Sequence, residues 1–328
     1  MRFEHGSVAA LRSLWGADPG EMADADYRLL AEVEDAFIAR SRAGLPALVV
    51  PIRDLGMAPV GRRASGCELI GHSSTRTVFQ GRHAVGPAAA LLCIDPELLD
   101  AFAVLAVDVA KRVRESGGTW ASMLAAVEEW QTLLAPRGLP SAEAEQGLWG
   151  ELWFLSQADD VEPALAGWRG PDGDATDFFL GGRSAEVKTS RHRRQHHVSH
   201  SQVDAPVGSH DAWLLSIWVK PDPAASSTVV HLAESILERV RDRGEALRRL
   251  AQAGYSPADR IGYGTAFVVL GEPEWYAAAD IPRVRAADPG VSQLRYRVAL
   301  DEARRADGRL SDSLWQHFLG HEYRGKQR

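Results

Sequence analysis

Three residues in one short stretch have the types and spacing of a hydrolytic site. Glu186-Val187-Lys188 reads as part of a strand, where alternate side chains share a face. Glu186 and Lys188 therefore point the same way, and Val187 points into the core. Asp177 heads the preceding run, Asp177-Phe178-Phe179-Leu180, and Gly181-Gly182 supplies a tight turn between the two. Pairing across that turn brings Asp177 beside Glu186.

Two carboxylates in one partly dry spot repel each other, and a divalent cation removes that cost. Mg²⁺ takes oxygen ligands and keeps several of its waters. In phosphodiester hydrolysis such an ion stabilises charge on the phosphate and lowers the pKa of a bound water. The pattern thus predicts an Mg²⁺-dependent hydrolase, with Mn²⁺ able to substitute. Asp177 and Glu186 are its metal ligands, and Lys188 orients the attacking water and offsets transition-state charge.

These residues need elements to position them. Ser141 suits a helix cap, with Glu143 and Glu145 in the first turn and an apolar face through Leu148, Leu152 and Leu155. A Gly-rich connector spans 167–176, and the hairpin carrying Asp177, Glu186 and Lys188 follows. From Arg183 to His200 there are five cationic residues against one acid. Arg191, Arg193, Arg194 and His197 are expected to contact phosphates, which fix register without reading sequence. A helix is expected from about Ser199, with Ser199 as its cap rather than a nucleophile. His192, His196 and His200 are spaced by four, but cysteine partners are absent and the surrounding cations disfavour zinc.

Further on, Trp213 to Val219 reads as a buried strand and Val230 to Ala253 as one long amphipathic helix. Gly264 to Leu270 and Gln293 to Leu300 read as strands, and Ser311 to Leu319 as a helix. Before the site, Tyr27 to Ala39 has Leu29, Leu30, Val33, Phe37 and Ile38 at helical spacing. Strands are expected at 47–52, 76–79 and 90–94. Asp95-Pro96 starts a helix reaching Glu115, and a second runs from Trp120 to Leu134. Pro136-Arg137-Gly138-Leu139-Pro140 marks a boundary. It separates an accessory region at 1–136, for recognition or docking, from a domain at 137–328.

The chain has 328 residues, 45% hydrophobic and 25% charged, the balance of a soluble globular protein. Its net charge is −7, so any nucleic-acid binding relies on local positive charge. Cys67 and Cys93 form no CxxC pair, which excludes a disulfide framework and a cysteine-rich zinc site. No apolar run reaches the roughly 18 residues of a membrane span, and the opening residues lack a signal peptide. A cytoplasmic protein without a membrane partner is expected. No GxxxxGK[ST] is present, so any ATP-driven step needs another protein.

Asp177, eight intervening residues, then Glu186-Val187-Lys188 resembles the PD-(D/E)XK superfamily of restriction endonucleases and Holliday-junction resolvases. A wider series comprises GLWGELWFL at 147–155, WRGP at 168–171, DFF at 177–179, EVKTS at 186–190 and HVSHSQV at 197–203. It is similar to a bacterial branch linked with restriction and phage-defence gene clusters. The resemblance implies an α+β core, a central mixed sheet flanked by helices, beside an N-terminal mixed α/β region. It implies DNA as the substrate and the Val187 backbone carbonyl as a further metal ligand. It adds a glutamate on the preceding helix, Glu151, with Glu143 as the second choice, and a polar residue presented to the site and its nucleic acid by the following helix, Gln202. Many such nucleases cut both strands as homodimers, and partners from a defence system, an ATPase or methyltransferase, also fit. Thr176 precedes Asp177, whereas the neighbouring Pro-Asp pair is Pro171-Asp172, so Asp172 and Asp174 stay open as alternatives. The competing expectation is a non-catalytic nucleic-acid-binding or assembly subunit that keeps the fold.

Overall fold

The computed structural model describes residues 8–16, 24–52, 62–64, 66–134, 138–172, 174, 176–199, 211–284, 294–321 and 323. The chain divides into two compact units. The first is 1–136 with 242–248 and 256–258, and the second is 137–241 with 249–255 and 259–328.

In the first unit, β1 (Tyr27–Val33), β2 (Ala36–Ser41), β3 (Pro46–Pro51), β4 (Arg62–Ala64), β5 (Cys67–Phe79) and β6 (Arg82–Cys93) form one sheet. Its order is β1-β2-β3-β6-β5-β4, and β1 also pairs in parallel with β5, closing the sheet on itself. Small residues make that closure possible, since Ala39, Ala47, Ala88 and Ala90 are buried beside Tyr27, Leu29, Val49 and Leu92. The expected helix at 27–39 is therefore two strands. Burial along β1 alternates with period two, because Ala31 faces inward with Leu29 and Val33. Apolar spacing alone fitted either period, and pairing with distant strands decided it.

Three helices accompany this sheet: α1 (Val8–Gly16), α2 (Leu99–Glu115) and α3 (Trp120–Leu134). Asp95 accepts from the Glu97 amide at 3.0 Å and starts the turn into α2, as its sequence implied. On α2, the buried Asp108 takes hydrogen bonds from Trp130 at 2.8 Å and Arg248 at 2.7 Å, so its charge is paired.

The second unit opens with α4 (Ala142–Ser156), capped by Ser141, whose hydroxyl accepts from the Ala144 amide at 3.1 Å. α5 (Val161–Gly167), β7 (Phe178–Leu180), β8 (Arg183–Ser190), β9 (Gln195–Ser199) and β10 (Asp211–Pro221) follow. Gly181 and Gly182 both adopt positive φ, which a two-residue hairpin turn requires. β8 pairs antiparallel with β7 and parallel with β10, so the sheet is mixed. Beyond β10 lie α6 (Val229–Arg239), α7 (Arg243–Gln252), β11 (Phe267–Val269), β12 (Glu274–Ala277), β13 (Arg295–Ala299) and α8 (Gly308–Leu319). β11 and β12 pair with the outer edge of β10, and β13 pairs with β9.

Two expectations change here. The single helix at 230–253 is broken, since Val240 is extended and Asp242 caps a new helix through the Glu245 amide at 2.9 Å. The helix expected from about Ser199 is replaced, as far as 199, by β9; residues 200–210 lie outside the described set. Among the described residues, no helix is long and apolar enough to cross a membrane.

α4 lies close against β8. A Cβ on Gly150 would come within 2.4 Å of the Thr189 methyl, and Thr189 and Gln146 exchange hydrogen bonds of 3.0 and 3.1 Å. Helix propensity alone favours alanine over glycine by about 1 kcal/mol. Gly150→Ala is nevertheless expected to lower stability by about 1–3 kcal/mol in urea unfolding, because the β-branched Thr189 has few ways to yield. A stabilised variant would contradict this packing.

Candidate active site

Strand β8 presents Glu186 and Lys188 on one face, and its neighbours decide what surrounds them. β7 is only three residues long, and its last rung on this side joins Phe178 to Ala185. The Val187 amide therefore finds no strand partner on that edge and donates instead to the Asp177 carboxylate at 2.7 Å. Amide and carbonyl of one residue leave a strand on the same side, so the Val187 carbonyl faces that edge too. Lys188 Nζ lies 2.7 Å from Glu186 Oε1, and the Glu186 side chain is only 3% exposed.

Glu151 joins them from α4. Its Oε2 accepts from the Trp168 indole at 2.7 Å, and Trp168 is bridged to Phe178 at the start of β7. Arg169 and Gly170 both donate backbone amides to the Asp177 carbonyl, at 2.6 and 3.2 Å. Gly170 leaves room for the glutamate, since a Cβ there would stand 2.4 Å from Glu151 Oε2. The segment 168–170 thus fastens Glu151 and Asp177 to one another. The sequence displayed it as a motif without giving it a task; a tryptophan and a glycine between two acids were the only signal.

The three acids and the ammonium shift one another's titration. Burial, then the Asp177 charge, pushes Glu186 up to about 8. Burial and Asp177 also raise Glu151 well above the usual carboxylate range, although the Trp168 hydrogen bond opposes this. Asp177 is raised by burial, against the pull of Lys188 and the Val187 amide. Burial works to lower Lys188, but Glu186, Asp177 and Glu151 more than offset it and keep the ammonium charged. Three acids face one ammonium, so full ionisation leaves excess negative charge away from water.

Oxygen donors in negative excess are the set that a hard divalent cation takes. The carboxylates are not gathered as a finished ligand cage. Among the described residues, no three His, Cys, Asp or Glu side chains are grouped to hold an ion by themselves. Glu151, Asp177 and Glu186 each have an oxygen on a donor of this chain. The fit is to an ion held by one or two carboxylates and a backbone carbonyl, with water completing the shell.

The remaining predicted residues fall elsewhere. Glu143 is exposed, as are Asp172 and Asp174; Asp172 forms a 3.7 Å ion pair with Arg169. Arg191 donates to Gln146 at 3.1 Å. Arg194 makes two 2.6 Å hydrogen bonds to Glu274, and Arg193 lies 3.5 Å from the same carboxylate and over the Trp218 ring. Burial works to raise Glu274, but Arg194 and Tyr276 draw it down to about 2. His197 is exposed on β9, His192 is exposed before it, and Gln202 and His200 lie outside the described residues. His196 is buried, with Nε2 2.8 Å from Ser216 Oγ, and burial and Lys188 lower it to about 4. It is a neutral neighbour of the cluster that sequence spacing had grouped with the wrong histidines.

A family model described as "Putative PD-(D/E)XK family member, (DUF4420)" matches residues 28–301, which include the whole cluster. No curated protein and no solved structure matches the chain.

The cluster makes stability depend on pH. A glutamate titrates near 4.3 when unfolded, whereas Glu186 does so at about 8 in the fold. Between those values the native state holds a proton that the unfolded chain has lost, so stability is full below the window and falls as pH rises through it. Thermal unfolding in a chelator should show Tm decreasing from pH 6 to 8.5. Glu186→Gln should be the more stable protein at pH 8. A less stable Gln variant at that pH would refute the assignment.

Proposed function

The chain belongs to the DUF4420 family of PD-(D/E)XK proteins, with their restriction-endonuclease-like fold, and from that premise we propose a metal-dependent DNA endonuclease. One observation carries the reading. Glu151, Asp177, Glu186 and Lys188 come from a helix, a connector and a strand, and they share one buried cluster whose acids outnumber its ammonium. A pure binding surface gains nothing from buried carboxylates that repel phosphate.

Asp177, Glu186 and the Val187 carbonyl are the residues that would hold Mg²⁺ or Mn²⁺. When bound, the ion supplies charge neutralisation at the phosphate and lowers the pKa of a coordinated water. Lys188, kept charged by its neighbours, orients the attacking water and offsets the negative charge that builds on the phosphoryl oxygens. Glu151, whose Oε2 accepts from the Trp168 indole, would add a contact to the ion or to one of its waters. A place in a restriction or phage-defence system, with an ATPase or methyltransferase partner, follows from the resemblance in the motifs at 147–203. Cutting both strands would suit a homodimer.

Purified protein is expected to nick or cut supercoiled plasmid and linear duplex DNA with Mg²⁺ or Mn²⁺, and to stop in chelator. Lys188→Ala and Glu186→Ala should each lower the cleavage rate by about 10²-fold or more. Cleavage that persists in Lys188→Ala contradicts the assignment. Absence of both cleavage and metal binding moves the chain to the binding-subunit class.

A further inference from the structure

The basic turn that the sequence offered for phosphate contact is largely occupied, because Arg193 and Arg194 converge on Glu274 together with Arg305. Uncommitted positive charge lies on another element. β9 and β13 form a two-stranded antiparallel ribbon in which Arg295 faces Ser199, Arg297 faces His197 and Val298 faces His196. Alternation sorts the two faces. Val198 and Val298 are buried with Leu214, Tyr276, Ile281 and Leu300, and His196 is buried with them in the same inward register. Gln195, His197, Arg295 and Arg297 are exposed on the opposite face.

We infer that this outer face, through Arg295 and Arg297 with His197 across from Arg297, seats the phosphate backbone of duplex DNA beside the acid–lysine cluster. The inference rests on the nuclease reading for its ligand and adds the surface that holds it. Three observations support it. The first is anchorage. His196 on the inner face hydrogen-bonds Ser216 at 2.8 Å, and Ser216 is the register partner of Lys188 on the adjacent strand. The ribbon is thereby fixed next to the cluster rather than hanging from the surface.

The second is charge. Among the described residues, neither Arg295 nor Arg297 has an acidic or hydrogen-bonding side-chain partner. Cationic neighbours on one ribbon face cost stability rather than add to it. In a chain of net charge −7 such a face points to an anionic ligand. The nearest acids in sequence, Asp301 and Glu302, come after the strand, and Asp301 lies 4.0 Å from Arg194.

The third is shape. Two residues apart on a strand, the arginines are separated by about 6.8 Å, comparable to the step between successive phosphates of one DNA strand. Guanidinium forks match phosphate oxygens in pairs. Single-strand binding relies on a run of aromatic stacking platforms, and among Gln195, His197, Ser199, Arg295, Arg297 and Ala299 this face carries no Phe, Tyr or Trp and one imidazole. A duplex is therefore the ligand it fits.

The test is anisotropy of a labelled duplex and of its single strand, at several salt concentrations in chelator, for the wild type, Arg295→Ala/Arg297→Ala and Arg295→Lys/Arg297→Lys. The alanine double variant should lose duplex affinity tenfold or more, and its plot of log affinity against log salt should flatten by about one per arginine removed. The lysine variant should keep the slope. Unchanged cleavage by Lys188-intact protein at saturating DNA, with a raised KM, would separate docking from chemistry. An unaltered salt slope in a folded alanine variant overturns the inference, as does a loss confined to single-stranded DNA. The two readings fail separately. Wild type that binds duplex through these arginines but cleaves nothing sinks the nuclease alone, whereas a fully active double variant with unchanged affinity sinks the docking surface alone.

Discussion

The constraint on which the second unit is built is the burial of more carboxyl groups than Lys188 could neutralise if all of them ionised. Glu151, Asp177 and Glu186 are each pushed above the usual carboxylate range by burial. Such a cluster is a cost to folding. It persists because surrounding groups hold it in place: the Trp168 indole on Glu151, the Val187 amide on Asp177 and the Lys188 ammonium on Glu186. Each contact fixes one carboxylate without cancelling the excess. What is left over is an affinity for a cation.

The scaffold serves that arrangement in specific ways. β7 starts late enough, at Phe178, to free the Val187 edge, and a strand begun two residues earlier would have covered it. Gly150 lets α4 approach Thr189, which sets where Glu151 enters, and Gly170 gives that carboxylate room. On the face shared with Lys188, Ser216 and His196 continue the polar surface toward the ribbon of β9 and β13, while Leu214 and Tyr276 seal its underside. Cluster and ribbon are thus two products of one strand, β10, which pairs with β8 on one edge and carries Ser216 and Leu214 on one face.

Much of this was legible in the sequence where the cause is local. The Ser141 cap, the Gly181-Gly182 turn and the period-two alternation of Glu186 and Lys188 depend on neighbours within a few residues, and the structure has them as read. Reading failed where long-range pairing decides. Residues 27–39 fit helical spacing but became strands, because Ala31 and Ala39 pack inward only once β2 and β5 are in place. Arg194 looked available until Glu274, eighty residues on, was seen to hold it. Arg295 and Arg297 were invisible as a surface for the same reason, since their partners on β9 lie far back in the chain. Trp168 and Gly170 stood in a noticed motif, but only geometry ties them to Glu151.

The central claim is that the cluster takes a divalent ion by giving up a proton held on its buried acids. Calorimetric titration of Mn²⁺ into the protein at pH 7, in two buffers of different ionisation enthalpy, tests it most directly. The account predicts binding coupled to release of about one proton, because ligating carboxylates must be deprotonated. Both binding and release should be lost or sharply weakened in Glu186→Gln. No heat of binding in the wild type, or binding that is buffer-independent and unchanged in Glu186→Gln, would contradict it.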